Sequence, residues 1–177
     1  MSETRPNDLL ATLGYGYKPA NIVQRAMQQI GASRPGAWLF KRMLHPIDKV
    51  LFKVTNGRLT VPGLLAGLPV IMLTTTGAKS GQPRRMPLLG IPVEGELAVI
   101  GSNFGQQGTP GWVFNLEAQP AATVEYRGEV VDVSARLADD AQADAAFAEA
   151  AKVYPGYGKY RQRASHRTIR VFMLGSG

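Results

Sequence analysis

Short β-type runs dominate the chain after Gly57. Six of them have the length and the β-branched or aromatic content of strands, at residues 69–76, 84–93, 96–102, 123–126, 129–137 and 168–174. Two pairs of runs are separated only by Glu94-Gly95 and by Arg127-Gly128, which is the spacing of tight antiparallel hairpins. The pattern therefore predicts a meander or barrel of about six antiparallel strands rather than a parallel sheet.

Three segments have helical patterns instead. Over residues 35–57, apolar residues recur at helical spacing with lysines and arginines between them, and Pro46 kinks or splits that helix. Shorter helices are predicted at residues 110–118 and at about residues 139–153, where Asp139 or Asp140 can cap the first N–H groups. The basic helix has two interpretations, packing against the sheet or docking on an anionic membrane surface.

Composition limits the chain to one cysteine-free domain. Its 177 residues, 45% of them hydrophobic, suit a single core. The absence of cysteine excludes disulfides, thiolate metal ligands and cysteine nucleophiles. The first residues lack the apolar run of a secretory signal, and the apolar stretch at residues 61–72 is too short to span a bilayer. We therefore expect a cytoplasmic protein.

The net charge of +7 is concentrated in the first third of the chain. Residues 1–60 contain nine Lys and Arg against three Asp and Glu, whereas residues 61–177 contain eleven against ten. Such a field favours a phosphate-bearing cofactor or an acidic lipid surface, although a solvated basic face has the same composition. Nucleic acid is disfavoured because the basic segment has no recognition motif and no interleaved aromatic residues.

The densest candidate chemistry lies in a strand, a tight turn and a second strand over residues 73–87. Two glycines let the turn fold closely, and three cations, Lys79, Arg84 and Arg85, fall within seven residues. Ser80 adds a hydroxyl group. The segment is interpreted as a phosphate-binding turn, while a basic hairpin turn without a ligand remains the alternative.

Two later segments have ligand-binding character. Residues 100–105 end a strand in small and polar residues, as expected where a flat ligand lies against the backbone, and Pro110 then begins a helix. Tyr154, Tyr157 and Tyr160 follow at three-residue intervals in a glycine-containing segment. They are interpreted as a movable segment that stacks on an aromatic substrate or, alternatively, as aromatic anchors of a surface loop.

Metal and hydrolase chemistry find no support in the sequence. His45 and His166 are far apart and have no clustered ligands beside them, so no metal site is predicted. No Gly-x-Ser-x-Gly motif occurs, and the adjacent pair Ser165-His166 does not make a nucleophile and its base.

Five motifs in order carry a family resemblance. They are Leu-Thr-Thr-Thr-Gly-x-Lys-Ser-Gly-x-Pro-Arg at 73–84, Gly-Ser-Asn-Phe-Gly at 101–105, Pro-Gly-Trp-x-x-Asn-Leu at 110–116, Tyr-Pro-x-Tyr-x-x-Tyr at 154–160 and Arg-Thr-Ile at 167–169. Together they resemble the deazaflavin-dependent nitroreductases, and in particular the F420-dependent quinone reductases. The resemblance implies a mainly β (α+β) fold, a split β-barrel of about six antiparallel strands with N-terminal and peripheral helices. It places an F420-binding domain at residues 35–177, after a partly flexible N-terminal extension at residues 1–34.

The resemblance also implies which residues bind coenzyme F420. These are Ala78, Lys79, Ser80, Arg84, Arg85, Met86, Pro87, Leu88, Leu89, Ile100, Gly101, Ser102, Asn103, Gly111, Trp112, Val113, Phe114, Asn115 and Tyr157. Tyr154, Tyr157 and Tyr160 are implied to shape the acceptor pocket. The hydroxyl of Tyr157 or Ser102 is the candidate catalytic group, which would hydrogen-bond the acceptor oxygen as negative charge develops.

The implied activity is hydride transfer from reduced F420 to a quinone-like or nitroaromatic acceptor. A lipid quinone would agree with docking of residues 35–57 on the inner face of the cell membrane. Two other hypotheses stay open. One is a split-barrel reductase that binds FMN, and the other is a non-catalytic module that docks on acidic lipid or carries a cofactor.

Overall fold

The computed structural model of the chain describes residues 9–16, 68–103, 108–154, 156–157 and 168–176. The elements formed there are α1 (Leu9–Thr12), β1 (Val70–Thr76), β2 (Pro83–Leu89), β3 (Ile91–Val93), β4 (Glu96–Ile100), α2 (Gly111–Ala118), β5 (Ala121–Tyr126), β6 (Glu129–Leu137), α3 (Asp140–Val153) and β7 (Val171–Ser176). The predicted basic helix at residues 35–57, both histidines and Tyr160 lie outside the described residues.

The described strands form one antiparallel sheet in the order β2-β1-β5-β6-β7-β4-β3. Its two edge strands, β2 and β3, are consecutive in the chain and are separated only by Gly90. Because the two peptide units between Leu89 and Ile91 span at most about 7 Å, both edges of the sheet must approach each other there. The sheet therefore curls into a barrel, as the fold-class prediction required.

The predicted strand at residues 84–93 is in fact two strands, which raises the described number from six to seven. Its first part pairs with β1 and its second part with β4, so the run changes partners at Gly90. A Cβ atom at this position would lie 3.0 Å from Leu97 Cδ1 and 3.2 Å from Ile71 Cγ2. Glycine therefore fits the crowded point where the barrel edges meet.

Both predicted hairpin turns are present. The φ angles are 50° at Glu94 and 86° at Gly95 in the first turn, and 52° at Arg127 and 97° at Gly128 in the second. Positive φ at both central residues is characteristic of the type I′ turn, whose twist matches that of the flanking strands. The short turns thus fix the β3–β4 and β5–β6 pairings.

Two buried clusters lie on opposite faces of the sheet, because alternate side chains of a strand point in opposite directions. Leu97 and Val99 of β4 join the interior cluster, which also contains residues of α1 and α2. Ala98 and Ile100 of the same strand join the outer cluster, in which α3 packs against the sheet. Helix α3 begins with a capping box, since the Asp139 carboxylate accepts a hydrogen bond of 2.8 Å from the Gln142 N–H.

Residues 9–16 lie within the predicted N-terminal extension and contribute to the core. Leu9 and Leu13 are fully buried in the interior cluster. The Tyr15 hydroxyl donates a hydrogen bond of 2.6 Å to the carbonyl oxygen of Gly90, and its ring lies 4.9 Å from that of Tyr126. The segment thus covers the barrel at the point where its two edges meet.

Candidate functional site

The β1–β2 turn, residues 77–82, is folded tightly by its own backbone. The Gly77 N–H donates to the Gln82 carbonyl at 2.9 Å, and the Gly81 N–H donates to the Gly77 carbonyl at 2.8 Å. A Cβ atom at Gly77 would lie 2.6 Å from Ser80 Oγ, and Gly81 has a φ of 65°. The geometry of the turn therefore favours glycine at both positions.

Exposed hydrogen-bond donors surround this turn. The Ser80 hydroxyl oxygen accepts from the Gln82 N–H at 3.3 Å and from Arg84 Nη2 at 3.4 Å. With both acceptor positions used, the hydroxyl proton can be donated to an anion. The Lys79 side chain is exposed in the same turn and adds a second positive charge. These three side chains can bind a phosphate group.

Arg85, the third predicted cation, lies on the other face of β2. Residues 84, 86 and 88 share the face of the interior cluster, where Met86 and Leu88 are packed, whereas Leu89 packs against the outer cluster. The Arg85 guanidinium forms an ion pair with Glu125 of β5. Arg84 and Arg85 therefore lie on opposite faces of β2, although the sequence analysis grouped both with the phosphate-binding turn.

A buried amide connects the turn to helix α2. Asn115 Oδ1 accepts a hydrogen bond of 2.9 Å from the Ala78 N–H, and Asn115 Nδ2 donates one of 2.9 Å to Thr75 Oγ1. Thr75 was not selected from the sequence. The detectable pattern was the alternation Ile71, Leu73, Thr75, which puts a polar residue on the buried face of β1.

Some of the predicted ligand residues of α2 are buried, and others are exposed to solvent. Trp112 and Val113 are buried in the interior cluster, and the Trp112 ring lies 6.0 Å from that of Phe172. Phe114 is 50% exposed, and Gly111 is exposed at the start of the helix. The geometry thus leaves Gly111 and Phe114 accessible to a ligand, while Trp112 and Val113 anchor the helix.

Gly101 permits α2 to approach the end of β4. Its N–H donates to the Arg170 carbonyl at 2.9 Å, and an added Cβ atom would lie 2.9 Å from Val113 Cγ2. Arg170 in turn forms an ion pair with Glu117 of α2. The start of β7, the end of β4 and the helix are thereby joined at one point.

The polar residues after β4 are held in a tight conformation. Ser102 is buried, and its N–H donates to the Ile100 carbonyl at 2.8 Å. Asn103 has a φ of 47°, and its side-chain amide donates to the Gly108 carbonyl at 2.8 Å. The backbone is thus kept compact where a ligand was predicted to lie against it.

Tyr157 is placed in the outer cluster, together with Ile100, and is only 6% exposed. Its N–H donates to the Tyr154 carbonyl at 3.1 Å, and the two rings meet edge to face at 6.3 Å. Burial, and to a smaller extent the neighbouring Tyr154, raises the pKa of the Tyr157 phenol above its ordinary value. The hydroxyl is therefore a neutral group that can donate a hydrogen bond near neutral pH. A Cβ atom at Gly156 would overlap the Tyr154 ring, so glycine is required between them.

The predicted site residues thus fall into two groups. One surrounds the β1–β2 turn and α2, and the other lies in or beside the outer cluster with Ile100, Tyr154 and Tyr157. The described residues contain no group of three or more side chains suited to hold a metal ion. In the part of the chain that the structure describes, no helix has the length and apolar content needed to cross a membrane.

Proteins of similar sequence include F420H(2)-dependent quinone reductases. The chain is 31% identical over 92 residues to a putative F420H(2)-dependent quinone reductase of Mycobacterium bovis, and equally to an F420H(2)-dependent quinone reductase of Mycobacterium tuberculosis. Each match covers 51% of this chain and 60% of the relative, so the chain spans less than two thirds of these curated relatives.

Solved structures agree with the fold. An F420-H2 dependent reductase, FDR-A, superposes with a TM-score of 0.55 at 34% identity, over 60% of this chain and 93% of that one. A structure described as a domain-swapped dimer gives a TM-score of 0.57 at 29% identity, over 79% of this chain and 98% of that one. The predicted split-barrel fold is confirmed.

The sequence profile of the F420H(2)-dependent quinone reductases matches residues 48–175. This range includes all the predicted site residues. It confirms the family that the sequence motifs resemble and, through the family's name, its cofactor F420. The chain belongs to the F420H(2)-dependent quinone reductase family.

Proposed function

We propose that this protein is an F420-dependent oxidoreductase that transfers hydride from the reduced deazaflavin to a quinone-like or nitroaromatic acceptor. The observation that carries the proposal is the β1–β2 turn, where Lys79, Ser80 and Arg84 present donors and positive charge around a tightly folded backbone. The family's name gives F420 as the cofactor, and the phosphate group of F420 is the anion that we propose this turn binds.

The residues present fit this cofactor. Its phosphate requires exposed donors, which the turn supplies, and its flat ring system requires an apolar surface. Met86 and Leu88 are half-buried on the same face of β2 as Arg84, and Leu89 at the end of the strand packs beside the outer cluster that contains Tyr157, so β2 offers apolar surface between the charged turn and that tyrosine. When bound, the deazaflavin supplies the hydride.

Tyr157 is proposed to act on the acceptor. Its phenol is buried and protonated, so it can donate a hydrogen bond to an acceptor oxygen that gains negative charge. The edge-to-face contact with Tyr154 restricts the orientation of the ring. Ser102, buried at the end of β4, is the second candidate for this role, and Tyr160 is assigned to the acceptor pocket by the family resemblance.

The test begins with binding. Purified protein is titrated with F420 and separately with FMN, followed by fluorescence, and menadione or a nitroaromatic compound is then added to the reduced F420 complex. Tight F420 binding and acceptor-dependent reoxidation of F420H2 support the proposal. Preference for FMN would identify an FMN-binding split-barrel reductase instead. Binding of neither cofactor would leave a non-catalytic module.

The individual roles are tested by substitution. Tyr157→Phe removes the hydroxyl and keeps the ring, so we expect slower acceptor reduction with little change in F420 affinity. Ser102→Ala is the matched variant for the second candidate. If Tyr157→Phe turns over like the parent protein, the hydroxyl of Tyr157 has no role in the reaction.

We also propose that the protein works on the cytoplasmic side of the membrane and docks there through the basic residues 35–57. The support is the amphipathic pattern of this segment, which contains four Lys and Arg against one Asp, within a first third of the chain that contains nine against three. Co-sedimentation with vesicles that contain anionic lipid should fall steeply as salt is raised, whereas vesicles of neutral lipid should not bind. Equal binding to both kinds of vesicle would contradict electrostatic docking.

A further inference from the structure

We propose that Thr75 and Asn115 form a buried clamp that holds the β1–β2 turn in its ligand-binding conformation. Both would then be positioning residues, although Asn115 was expected from the family resemblance to contact the cofactor directly. The link from the clamp to F420 affinity rests on the proposed function, whereas the link from the clamp to the turn does not. Thr75 and Asn115 are both buried, and the two polar ends of the Asn115 amide each have a partner within the protein.

The orientation of the Asn115 amide follows from its partners. The backbone N–H of Ala78 can only donate, so the group that faces it must be the amide oxygen, at 2.9 Å. The NH2 group then faces Thr75, whose hydroxyl oxygen accepts at 2.9 Å. Each end of the amide is thus bonded to the protein, and the side chain bridges β1 and the turn from helix α2.

The clamp acts on the residue that begins the charged part of the turn. Ala78 lies between Gly77, which is bonded to Gln82 across the turn, and Lys79, which carries an exposed cation. Fixing the Ala78 peptide group therefore limits the backbone angles available to Lys79 and to Ser80 after it. Without the clamp, the turn keeps only its internal hydrogen bonds, and the donors must be ordered when the ligand binds, which weakens binding.

Substitutions can separate the hydrogen bonds from the charge. Thr75→Val keeps the shape of the side chain and removes the acceptor for the Asn115 amide. Asn115→Leu removes both hydrogen bonds. Asn115→Asp keeps an oxygen for the Ala78 N–H, and its second oxygen can accept from the Thr75 hydroxyl, but it adds a negative charge beside an anion site. Thr75→Ser restores the hydroxyl.

The first experiment measures hydrogen exchange of the Ala78 amide by NMR in the cofactor-free protein. We expect exchange to be about fivefold faster or more in Asn115→Leu, which removes the hydrogen bond to Ala78, because a typical hydrogen bond contributes that factor. Thr75→Val should also make exchange faster, because the Asn115 amide loses the bond that orients its oxygen toward Ala78. Thr75→Ser and Asn115→Asp should retain the protection. The matched control is Thr74→Val, which removes a hydroxyl from the opposite face of the same strand. Unchanged exchange at Ala78 in Thr75→Val would overturn the clamp.

The second experiment measures the Kd of F420 by fluorescence. Thr75→Val should weaken binding about fivefold to tenfold, and kcat at saturating F420 should stay near that of the parent, since no reacting group is removed. Asn115→Asp should weaken F420 binding in spite of normal Ala78 protection, because its charge repels the phosphate. Faster exchange at Ala78 with an unchanged Kd would overturn the connection between the clamp and the cofactor.

The hydrogen-exchange experiment and the F420-binding experiment test separate claims. If the parent protein does not bind F420, the proposed function fails, while exchange at Ala78 still decides whether the clamp exists. If Asn115→Leu does not fold, as judged by its thermal unfolding transition, Thr75→Val carries the same test with a smaller change in the core, because it keeps the shape of the side chain.

Discussion

Arg84 donates a hydrogen bond from Nη2 to the hydroxyl oxygen of Ser80, at 3.4 Å, across the turn between β1 and β2. The contact joins a strand residue to a turn residue and directs the guanidinium toward the exposed donors of the turn. Arg85, the next residue in the chain, lies on the opposite face and pairs with Glu125. Substitution of Arg84 therefore tests the cofactor site, and the same substitution at Arg85 is its control.

Arg84→Gln should therefore weaken F420 binding much more than Arg85→Gln. Loss of a charge-assisted contact to phosphate is expected to raise the Kd about tenfold or more for Arg84. The difference should shrink as salt is raised, because exposed charges are screened. Fluorescence titration of both variants at low and high ionic strength checks this. Equal losses for the two variants would contradict the assignment of Arg84 to the cofactor site.

Gly101→Ala should destabilise the fold through a specific clash. The new methyl group would lie 2.9 Å from Val113 Cγ2 and 3.1 Å from the Arg170 carbonyl oxygen, which forces α2 away from β4. Overpacking of this kind costs about 1–3 kcal/mol in the free energy of unfolding. Urea unfolding gives the value for each variant.

The control for Gly101→Ala is the double variant Gly101→Ala with Val113→Ala. Removing the Val113 methyl groups relieves the closer of the two contacts, so the cost of the double variant should be less than the sum of the two single costs. Strictly additive costs would show that Val113 is not the group that excludes a side chain at position 101.

Tyr157 should make stability fall at alkaline pH. Burial raises its pKa in the folded protein above 10.0, so above about pH 10 the unfolded chain loses this proton while the folded protein keeps it. The unfolded state then binds fewer protons. The contribution of Tyr157 is therefore complete below about pH 10 and is lost as the pH rises toward the folded pKa, at up to about 1.4 kcal/mol per pH unit.

The measurement compares the free energy of unfolding at about pH 8 and about pH 11 in the parent protein and in Tyr157→Phe. The phenylalanine variant should lose less stability over this interval, because it has no proton to release at this site. An equal loss in both proteins would mean that the Tyr157 phenol ionises as readily in the fold as in the unfolded chain.

Leu13→Ala tests whether the N-terminal segment belongs to the core. Leu13 is 1% exposed, whereas Leu137 at the end of β6 is 56% exposed and serves as the control. Truncation of a buried leucine costs about 2–5 kcal/mol, and truncation of an exposed one roughly 0.5 kcal/mol or less. Urea unfolding of both variants checks the difference. Similar costs would mean that residues 9–16 do not stabilise the barrel.

The sequence by itself determined the local elements. Strand β6 was predicted with the bounds that the structure has, at residues 129–137, and the turns at Gly95 and Gly128 were predicted from their spacing alone. Asp139 was one of two predicted caps and is the one that forms the capping box. These features depend on backbone preferences and side-chain bonds within a few residues, so the neighbouring sequence is sufficient to specify them.

Only the tertiary structure decided which distant groups meet. The predicted strand at residues 84–93 contains Gly90, but a glycine in a strand does not by itself show that the partner strand changes there. Strand β2 ends just before Gly90 because the two barrel edges converge at that point. Arg84 and Arg85 must lie on opposite faces of any strand, but only the pairing of β2 with β1 decides that Arg84 takes the face of the interior cluster and that Arg85 takes the other face. Thr75 and Asn115 are 40 residues apart and meet only because α2 packs beside the end of β1. Partners of this kind depend on strand order and register, which are set by packing of the whole core rather than by any one segment.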